Sequence, residues 1–430
     1  MRTILFLLVS INLNADIQTL FGTGFSGVGG ATAVRTKAYD LFGAYYNSAL
    51  FTYYDSIQVS FGYQFGTENF KDINSVVTDS AKYGGDDLTG DIDTDVDEFH
   101  NTQLAVVLPF KYGNWGQAQI SFITSLPMLK FLNIETQSSF YPEYSLYESD
   151  TQRLNLATYL SYKNSKDYRF SVGAHVYFAT GSTVNSRLPS STGDRSSTMD
   201  IAIEVKPALS FSFAFLKEFS NGHSIGAQVV DERNAKLAFK ADTEVNVLGP
   251  GAVPIVIDGS SSLYYDPRQF SASYAIPMDD IDLHFSFEME QWSLFDSRVV
   301  VMEITGSNSF EQLNIETNFQ DVYSPKFAIV KNFDSSRWIA GYSYRTSPVT
   351  RDVDEANYLD SAKHIIGFGW QRLNPKFLGK EWNGSFSIFS QIHLLENEKV
   401  TKLESDSVGY PNYEVGGQAI SLGSQIEFKF

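Results

Sequence analysis

The sequence predicts an all-β protein, a fourteen-stranded antiparallel transmembrane β-barrel, and three observations carry that prediction. The first is strict apolar/polar alternation over long stretches. Ile57, Val59, Phe61, Tyr63 and Phe65 alternate with Gln58, Ser60, Gly62, Gln64 and Gly66. Period two sends successive side chains to opposite faces of a strand. A strand of ~9–11 residues crosses a bilayer when tilted, whereas soluble strands cluster near ~5–6 residues. The second observation is composition: 34 Phe and 24 Tyr in 430 residues, yet a mean hydropathy of only −0.17. Such a chain is rich in large apolar side chains but has no greasy run, as a barrel with one lipid face and one polar face requires. The third is the regular alternation of short and long connections between the alternating segments.

Taken in order, residues 1–15 read as an export signal. Arg2 gives a basic start, Ile4–Val9 begins an apolar stretch that Ile11 and Leu13 extend, and Asn14-Ala15 offers a small residue for cleavage. Residues 16–54 form a distinct segment, rich in Gly and Ala and without clean alternation. The barrel is expected over 55–430. Its strands are predicted near 56–66, 99–110, 116–127, 151–163, 168–180, 198–216, 223–234, 266–277, 281–291, 323–333, 336–347, 362–371, 383–395 and 416–430. Short connections such as 164–167 and 278–280 read as periplasmic turns. Long ones such as 67–98, 235–265 and 292–322 read as outer loops. The connection 372–382 is longer than a periplasmic turn should be. An even strand number places the C-terminus and the segment 16–54 on the periplasmic side. The last strand ends in alternating Ile426, Phe428 and Phe430, the pattern expected of a signal read by the barrel-assembly machinery.

Composition also excludes classes of function. Asp and Glu outnumber Lys and Arg by 50 to 32, so phosphate backbones would be repelled. With no Cys, disulfide scaffolds, thiolate metal sites and Cys nucleophiles are ruled out. The six His residues fall on separate predicted strands and form no HExxH or close pair, so no enzyme and no cofactor is predicted.

Several motifs remain. Gly22-Thr23-Gly24-Phe25-Ser26-Gly27 is literally GxGxxG, but the strand and acidic residue of a dinucleotide fold are missing. Tight turns in a compact segment explain these glycines better. Asp91, Asp93, Asp95 and Asp97 suggest a divalent cation, but an EF-hand needs Gly and Glu where Val96 and Thr102 stand. A solvated acidic loop is the simpler reading, and a looser cation site stays open. Trp115, Trp292, Trp338, Trp370 and Trp382 fall mostly at strand ends and read as an interfacial girdle. Leu41, Phe42, Tyr45, Tyr46, Leu50 and Phe51, with Asn47 and Ala49, form an apolar cluster. These eight residues are candidates for packing against the barrel wall or for lining a ligand pocket.

The chain resembles the FadL/TodX-type outer-membrane transporters of hydrophobic compounds. Gly27–Val34 followed by Tyr45-Tyr46-Asn47-Ser48-Ala49 is similar to a Gly-rich stretch and an Asn-Pro-Ala motif in that family. Asp266-Pro267 with Leu283–Glu290 and Trp292-Ser293-Leu294-Phe295 resembles its Pro-strand-strand-Trp-Ser block. Gly341-Tyr342-Ser343-Tyr344, Ser347-Pro348-Val349, Asp360 and His364–Gly369 resemble its G-Y-x-Y…S-P-V…D…H…G signature. Ser48 departs from the family's Pro. The resemblance implies that 16–54 is a hatch inside the lumen of the barrel. It also implies passive uptake of a fatty acid or aromatic hydrocarbon, through an apolar pocket and a sideways exit, across an outer membrane rich in lipopolysaccharide. A monomer is expected. Arg169, Lys217, Lys326 and Arg345 are candidate partners for a ligand carboxylate. A secretion-associated binding or shuttle barrel and a general porin are the alternative functions.

Overall fold

The computed structural model describes residues 20–30, 33–79, 88–96, 98–111, 117–128, 142–144, 146–147, 154–187, 198–246, 252–295, 303–305, 319–350, 357–377 and 380–430. The export signal, Trp115 and Asp97 lie outside them. Fourteen strands form the barrel: β1 (Gln58–Phe70), β2 (Phe99–Lys111), β3 (Gln117–Pro127), β4 (Asn155–Lys163), β5 (Tyr168–Arg187), β6 (Thr198–Glu218), β7 (Ser224–Val230), β8 (Gln269–Met278), β9 (Ile281–Glu290), β10 (Val322–Asn332), β11 (Ser336–Arg345), β12 (Lys363–Leu373), β13 (Gly384–Thr401) and β14 (Asn412–Lys429). Each pairs antiparallel with the next. The sheet closes where β14 returns to β1, with Phe61 opposite Ile426 and Val59 opposite Phe428. Closure removes both free edges, which lipid cannot hydrogen-bond.

Alternation sets the two faces. Phe61, Leu160, Leu209, Phe213, Phe287, Phe368 and Leu422 point outward and are exposed, Phe213 by 59%. The residues between them, such as Gln64, Ser212, Gln228, Glu288, Gln391 and Gln425, point inward and are buried. An apolar outer belt on all sides over a polar interior is a surface made for lipid. Among the described residues no helix is long and apolar enough to cross a membrane; the strands do the crossing.

The structure departs from the sequence expectation chiefly outside the belt. β5 continues to Arg187, seven residues past its predicted end, and within 235–265, expected to be loop, Arg233–Asn246 pairs antiparallel with Ala252–Asp266. Residues 237–244 of that hairpin add on parallel to 180–187. Backbone pairing continues beyond the membrane because each strand offers its neighbour an unpaired ladder. A smaller hairpin, Ile73–Asp79 with Leu88–Ile92, sits in the first outer loop. The overlong periplasmic connection contains a two-residue ribbon, Lys376–Phe377 with Lys380–Glu381.

Phe213 sits opposite Val172 on one side and Val229 on the other, near the middle of the belt. Phe213→Arg is expected to destabilise the barrel by about 2–4 kcal/mol, the cost of a cation at bilayer mid-depth. Urea unfolding in lipid vesicles reads the change. A midpoint equal to that of the wild type would mean that this face does not meet hydrocarbon.

Candidate ligand cavity and luminal plug

Residues 20–30 and 33–54, the plug segment, pack against the inward-facing side chains of the barrel. The plug holds little regular structure: a short helix at Gly24–Val28 and two 3-10 turns, Leu41–Tyr45 and Ser48–Tyr53. Its backbone groups therefore need partners from elsewhere, and wall glutamines supply many of them. Gln391 donates to the Leu20 carbonyl (3.3 Å), Gln64 to Gly22 (3.4 Å), Gln371 to Tyr39 (3.0 Å), Gln228 to Tyr45 (3.1 Å) and Gln119 to Tyr54 (3.3 Å). Gln425 accepts from the Phe25 N–H at 3.3 Å and Glu427 from Leu41 at 3.0 Å.

The glycines serve close approach. Gly22 and Gly24 have positive φ of 71° and 70°, and a Cβ on Gly22 would meet the Gly27 carbonyl oxygen at 2.5 Å. Across the lumen, a Cβ on Gly367 of β12 would stand 1.7 Å from the Val28 oxygen, and one on Gly341 of β11 2.3 Å from the Gly30 nitrogen. The Gly27–Val34 stretch and the G-Y-x-Y and H-x-x-G motifs thus supply the two sides of one backbone contact.

Charge fixes the plug laterally. Arg35 ion-pairs with Glu288, which also holds Lys326 at 2.8 Å. Lys37 pairs with Asp282, whose other oxygen accepts from Tyr39 at 2.6 Å. Within the plug, Asp40 accepts from the N–H groups of Gly43 (2.8 Å) and Ser26 (2.6 Å). Burial nonetheless pushes its carboxyl pKa up. Arg169 lies 3.7 Å over the Tyr53 ring, donates to Thr52 at 3.0 Å and sits 3.6 Å from Glu218. Lys217 lies 4.3 Å over the Tyr168 ring at a periplasmic turn. The cations considered for a ligand head group are thus all engaged with the protein, Arg345 through Glu290 at 2.8 Å.

The eight candidates at 41–51 are all buried. The apolar ones pack against Ala105, Val107, Ile123, Tyr159 and Leu216 in the periplasmic half of the lumen. Tyr45 also borders a polar cleft with His175, Gln228, Arg233, Asp266 and Glu290. Asn47 caps the second 3-10 turn by accepting from Ala49 N–H, and donates to the Arg35 carbonyl at 2.9 Å. Ser48, where the family has Pro, uses the N–H that Pro lacks: it donates to Gln228 at 2.9 Å.

The apolar cavity lies at the opposite, outer end. There Leu146, Trp292, Phe319, Pro348, Val349, Tyr358, Leu359 and Asp360 line a narrow pocket of about 10 Å³, room for roughly one water. They belong to or border an aromatic cluster in which outer-loop residues Tyr144 and Tyr147 join Phe70, Phe99 and the plug's own Leu20 and Phe21. Phe21 stacks on His393 with ring centroids 4.5 Å apart. Trp292 corrects the girdle reading: it is fully buried, donating to Glu290 at 2.8 Å, while Trp338 is 41% exposed among the outward aromatics. Sequence reasoning quoted Trp292 and Asp360 as motif residues without seeing that they share a cavity. Their signal was position just beyond the outer ends of β9 and just before β12.

Of the aspartates read as a cation candidate, Asp93 and Asp95 come together with Asp72 within 4.8 Å, all exposed, while Asp91 accepts from the Ser75 N–H. His175 lies 3.1 Å from Ser212 Oγ, with the Tyr45 and Tyr159 rings edge-on to it.

This architecture matches solved barrels over nearly their whole length. A FadL homologue of Pseudomonas aeruginosa aligns with a TM-score of 0.62 at 13% identity, over 95% of this chain and 98% of that one. The fold is that of the FadL-type barrels. The toluene transporter TbuX of Ralstonia pickettii aligns at 0.55 and 11% identity, covering 96% and 99%. The toluene transporter TodX of Pseudomonas putida aligns at 0.52 and 12%, covering 97% and 99%. These neighbours are transporters rather than enzymes. No family model matches the sequence, and no curated protein matches it. In this FadL-type barrel the likeness therefore lives in geometry more than in residues.

The Asn47 and Ser48 contacts make separable predictions. Asn47→Ala removes a cap and two carbonyl contacts, at an expected cost of about 1–2 kcal/mol. Ser48→Pro loses one hydrogen bond worth ~1 kcal/mol but gains ~0.4–1 kcal/mol by stiffening the unfolded chain, and Pro suits the first helical position. Thermal melting followed by heat-modifiable gel mobility should therefore place Ser48→Pro near wild type and Asn47→Ala clearly below it. The reverse order would contradict this account of the turn.

Proposed function

We propose that this barrel lies in the outer membrane of a Gram-negative bacterium as a monomer and admits small hydrophobic molecules by passive transport. Residues 1–15 are its export signal, and Ile426, Phe428 and Phe430 present the strand that the assembly machinery reads. The observation that supports the reading is the apolar, aromatic cluster on the outer side, which Leu20 and Phe21 of the plug join. Lipopolysaccharide gives the outer leaflet a charged face that apolar solutes cross poorly. An aromatic cluster of this kind, once its loops part, takes such a solute out of water with the ordinary gain of apolar burial.

In this reading the plug is the hatch. Many of its luminal contacts are hydrogen bonds and ion pairs that can be exchanged for others, and its backbone meets the wall closely at Gly341 and Gly367. Rearrangement of the hatch lets the ligand leave sideways through the wall into hydrocarbon. The eight residues at 41–51 form the floor that the ligand meets once the outer half of the hatch has moved. The filled lumen and its paired charges speak against a general porin.

Deletion of 16–50 separates these functions. Liposomes carrying the full chain are expected to take up toluene and resist swelling in sugars. The truncated barrel should swell in sugars and lose its preference for toluene. Selective toluene uptake without a sugar leak by the truncated protein would defeat the hatch assignment.

A further inference from the structure

We propose that the lipid-facing side of the barrel carries a site for the sugar head group of an outer-leaflet glycolipid, built from Tyr342, Tyr344, His364 and Glu396. The inference rests on the outer-membrane location proposed above but not on uptake. The four residues stand where three strands leave the apolar belt. Tyr342 and Tyr344 lie near the outer end of β11, opposite Ile366 and His364 of β12. Glu396 follows β13's pairing at Leu395, in a bulge that ends at Glu398, and its N–H is fixed on the Ala362 carbonyl at 2.8 Å. A bulge re-aims the side chains it carries. Toward the membrane the same outward rows continue as Ile366, Phe368, Ile392 and Leu394, all exposed. Tyr342 is 43% exposed, and the His364 and Glu396 side chains 42% and 46%, on the side where the neighbour is lipid.

The hydrogen bonds of the set run one way. A carboxylate can only accept, so His364 Nε2, 3.3 Å from Glu396, carries the ring proton. Nδ1 then accepts from the Tyr342 hydroxyl at 2.8 Å. Tyr344 gives its hydroxyl proton to the same carboxylate. The side-chain protons are thus committed inside the set. What faces the leaflet is acceptors: the remaining lone pairs of Glu396 and two phenol oxygens. A phosphate, itself acceptor-only, is repelled by this array. A sugar brings many hydroxyl protons to it. A sugar also brings C–H faces. The Tyr342 and His364 rings, inclined by 28° with centroids 6.0 Å apart, offer the electron-rich faces that such groups prefer. A single tyrosine at a strand end is explained by the membrane interface alone, where one end is apolar and the other wet. A carboxylate joined to aromatic side chains of two further strands is not.

The test compares head groups. Full-length protein in detergent micelles is mixed with rough-type lipopolysaccharide, phosphatidylethanolamine or phosphatidylglycerol, and the bound lipid is counted by native mass spectrometry. The wild type is expected to retain lipopolysaccharide at least about fivefold more strongly than either phospholipid. Tyr342→Phe keeps the ring but frees the His364 ring from its fixed place, and Glu396→Gln removes the central acceptor. Each should weaken lipopolysaccharide binding about threefold or more, the worth of one hydrogen bond, and leave both phospholipids unchanged. Trp338→Phe, on the same outward face at the opposite rim, should change none of the three. Phosphatidylethanolamine held as firmly as lipopolysaccharide by the wild type overturns the proposal, because an ammonium and not a sugar then satisfies Glu396. Equal retention of phosphatidylglycerol overturns it as well, and neither result needs a variant. Lipopolysaccharide binding unmoved by both Tyr342→Phe and Glu396→Gln places the sugar elsewhere and also overturns it. Toluene uptake, read in liposomes, stands or falls separately.

Discussion

The fold depends on one exchange between wall and plug: polar side chains of the barrel satisfy the backbone of a segment that cannot satisfy itself. Among the described residues of this segment, 20–30 and 33–54, regular structure is confined to helical Leu20-Phe21, the five-residue helix at Gly24–Val28 and two 3-10 turns, so few of their N–H and C=O groups bond internally. A buried backbone group left without a partner costs as much as a lost hydrogen bond. Glutamine suits the task because its amide offers donor and acceptor on a flexible stem without charge. Gln64, Gln119, Gln228, Gln371 and Gln391 each donate to a plug carbonyl. The same inward positions that would line water in an open pore here line a peptide.

Charge is handled by the same economy of pairing. The acids of β9 face inward as Asp282, Glu288 and Glu290, and each meets a cation: Lys37, Arg35 with Lys326, and Arg345. Buried ion pairs of this kind contribute little net stability, since desolvation offsets most of the attraction. Their effect is on geometry, because a charge removed from its partner in this interior is far more costly than the pair itself is favourable. Arg35 and Lys37 therefore hold the middle of the plug in one register against β9 while its two ends pack by apolar contact.

Much of this was legible in the sequence. The period of two fixed which residues meet lipid, and fourteen alternating stretches became fourteen strands. Inward charges such as Glu288 in mid-strand already required a polar lumen. What stayed hidden lay where period two loses its meaning. The outer hairpin reads as loop over 235–265 because nothing outside the membrane demands alternation. Trp292 looked interfacial because a Trp at a strand end usually is. It is buried because loops fold back over it, and long-range loop packing leaves no periodic mark. The partnership of Arg35 with Glu288 spans 253 positions and no local pattern announces it.

The outer cluster and the plug share residues, which on the uptake proposal ties the outer loops and the plug into one mechanical unit. Leu20 and Phe21 belong to the aromatic cluster beneath the loops, and the Gly-rich stretch that follows bears on the wall at Gly29 and Gly30. A ligand displacing the Phe21 ring from His393 would pull on a chain whose next wall contacts are the Gly22 and Phe25 hydrogen bonds to Gln64 and Gln425. Those bonds are long, 3.4 and 3.3 Å, and so are among the weaker ones in the plug. The ion pairs at Arg35 and Lys37 come later in the chain. If the plug opens as proposed, physical order along the sequence matches the order of an opening from the outer side: aromatic contact first, neutral hydrogen bonds next, buried charge last. The periplasmic half at 41–54, packed on Val107 and Leu216, needs no part in the first steps and can keep the barrel sealed while they occur.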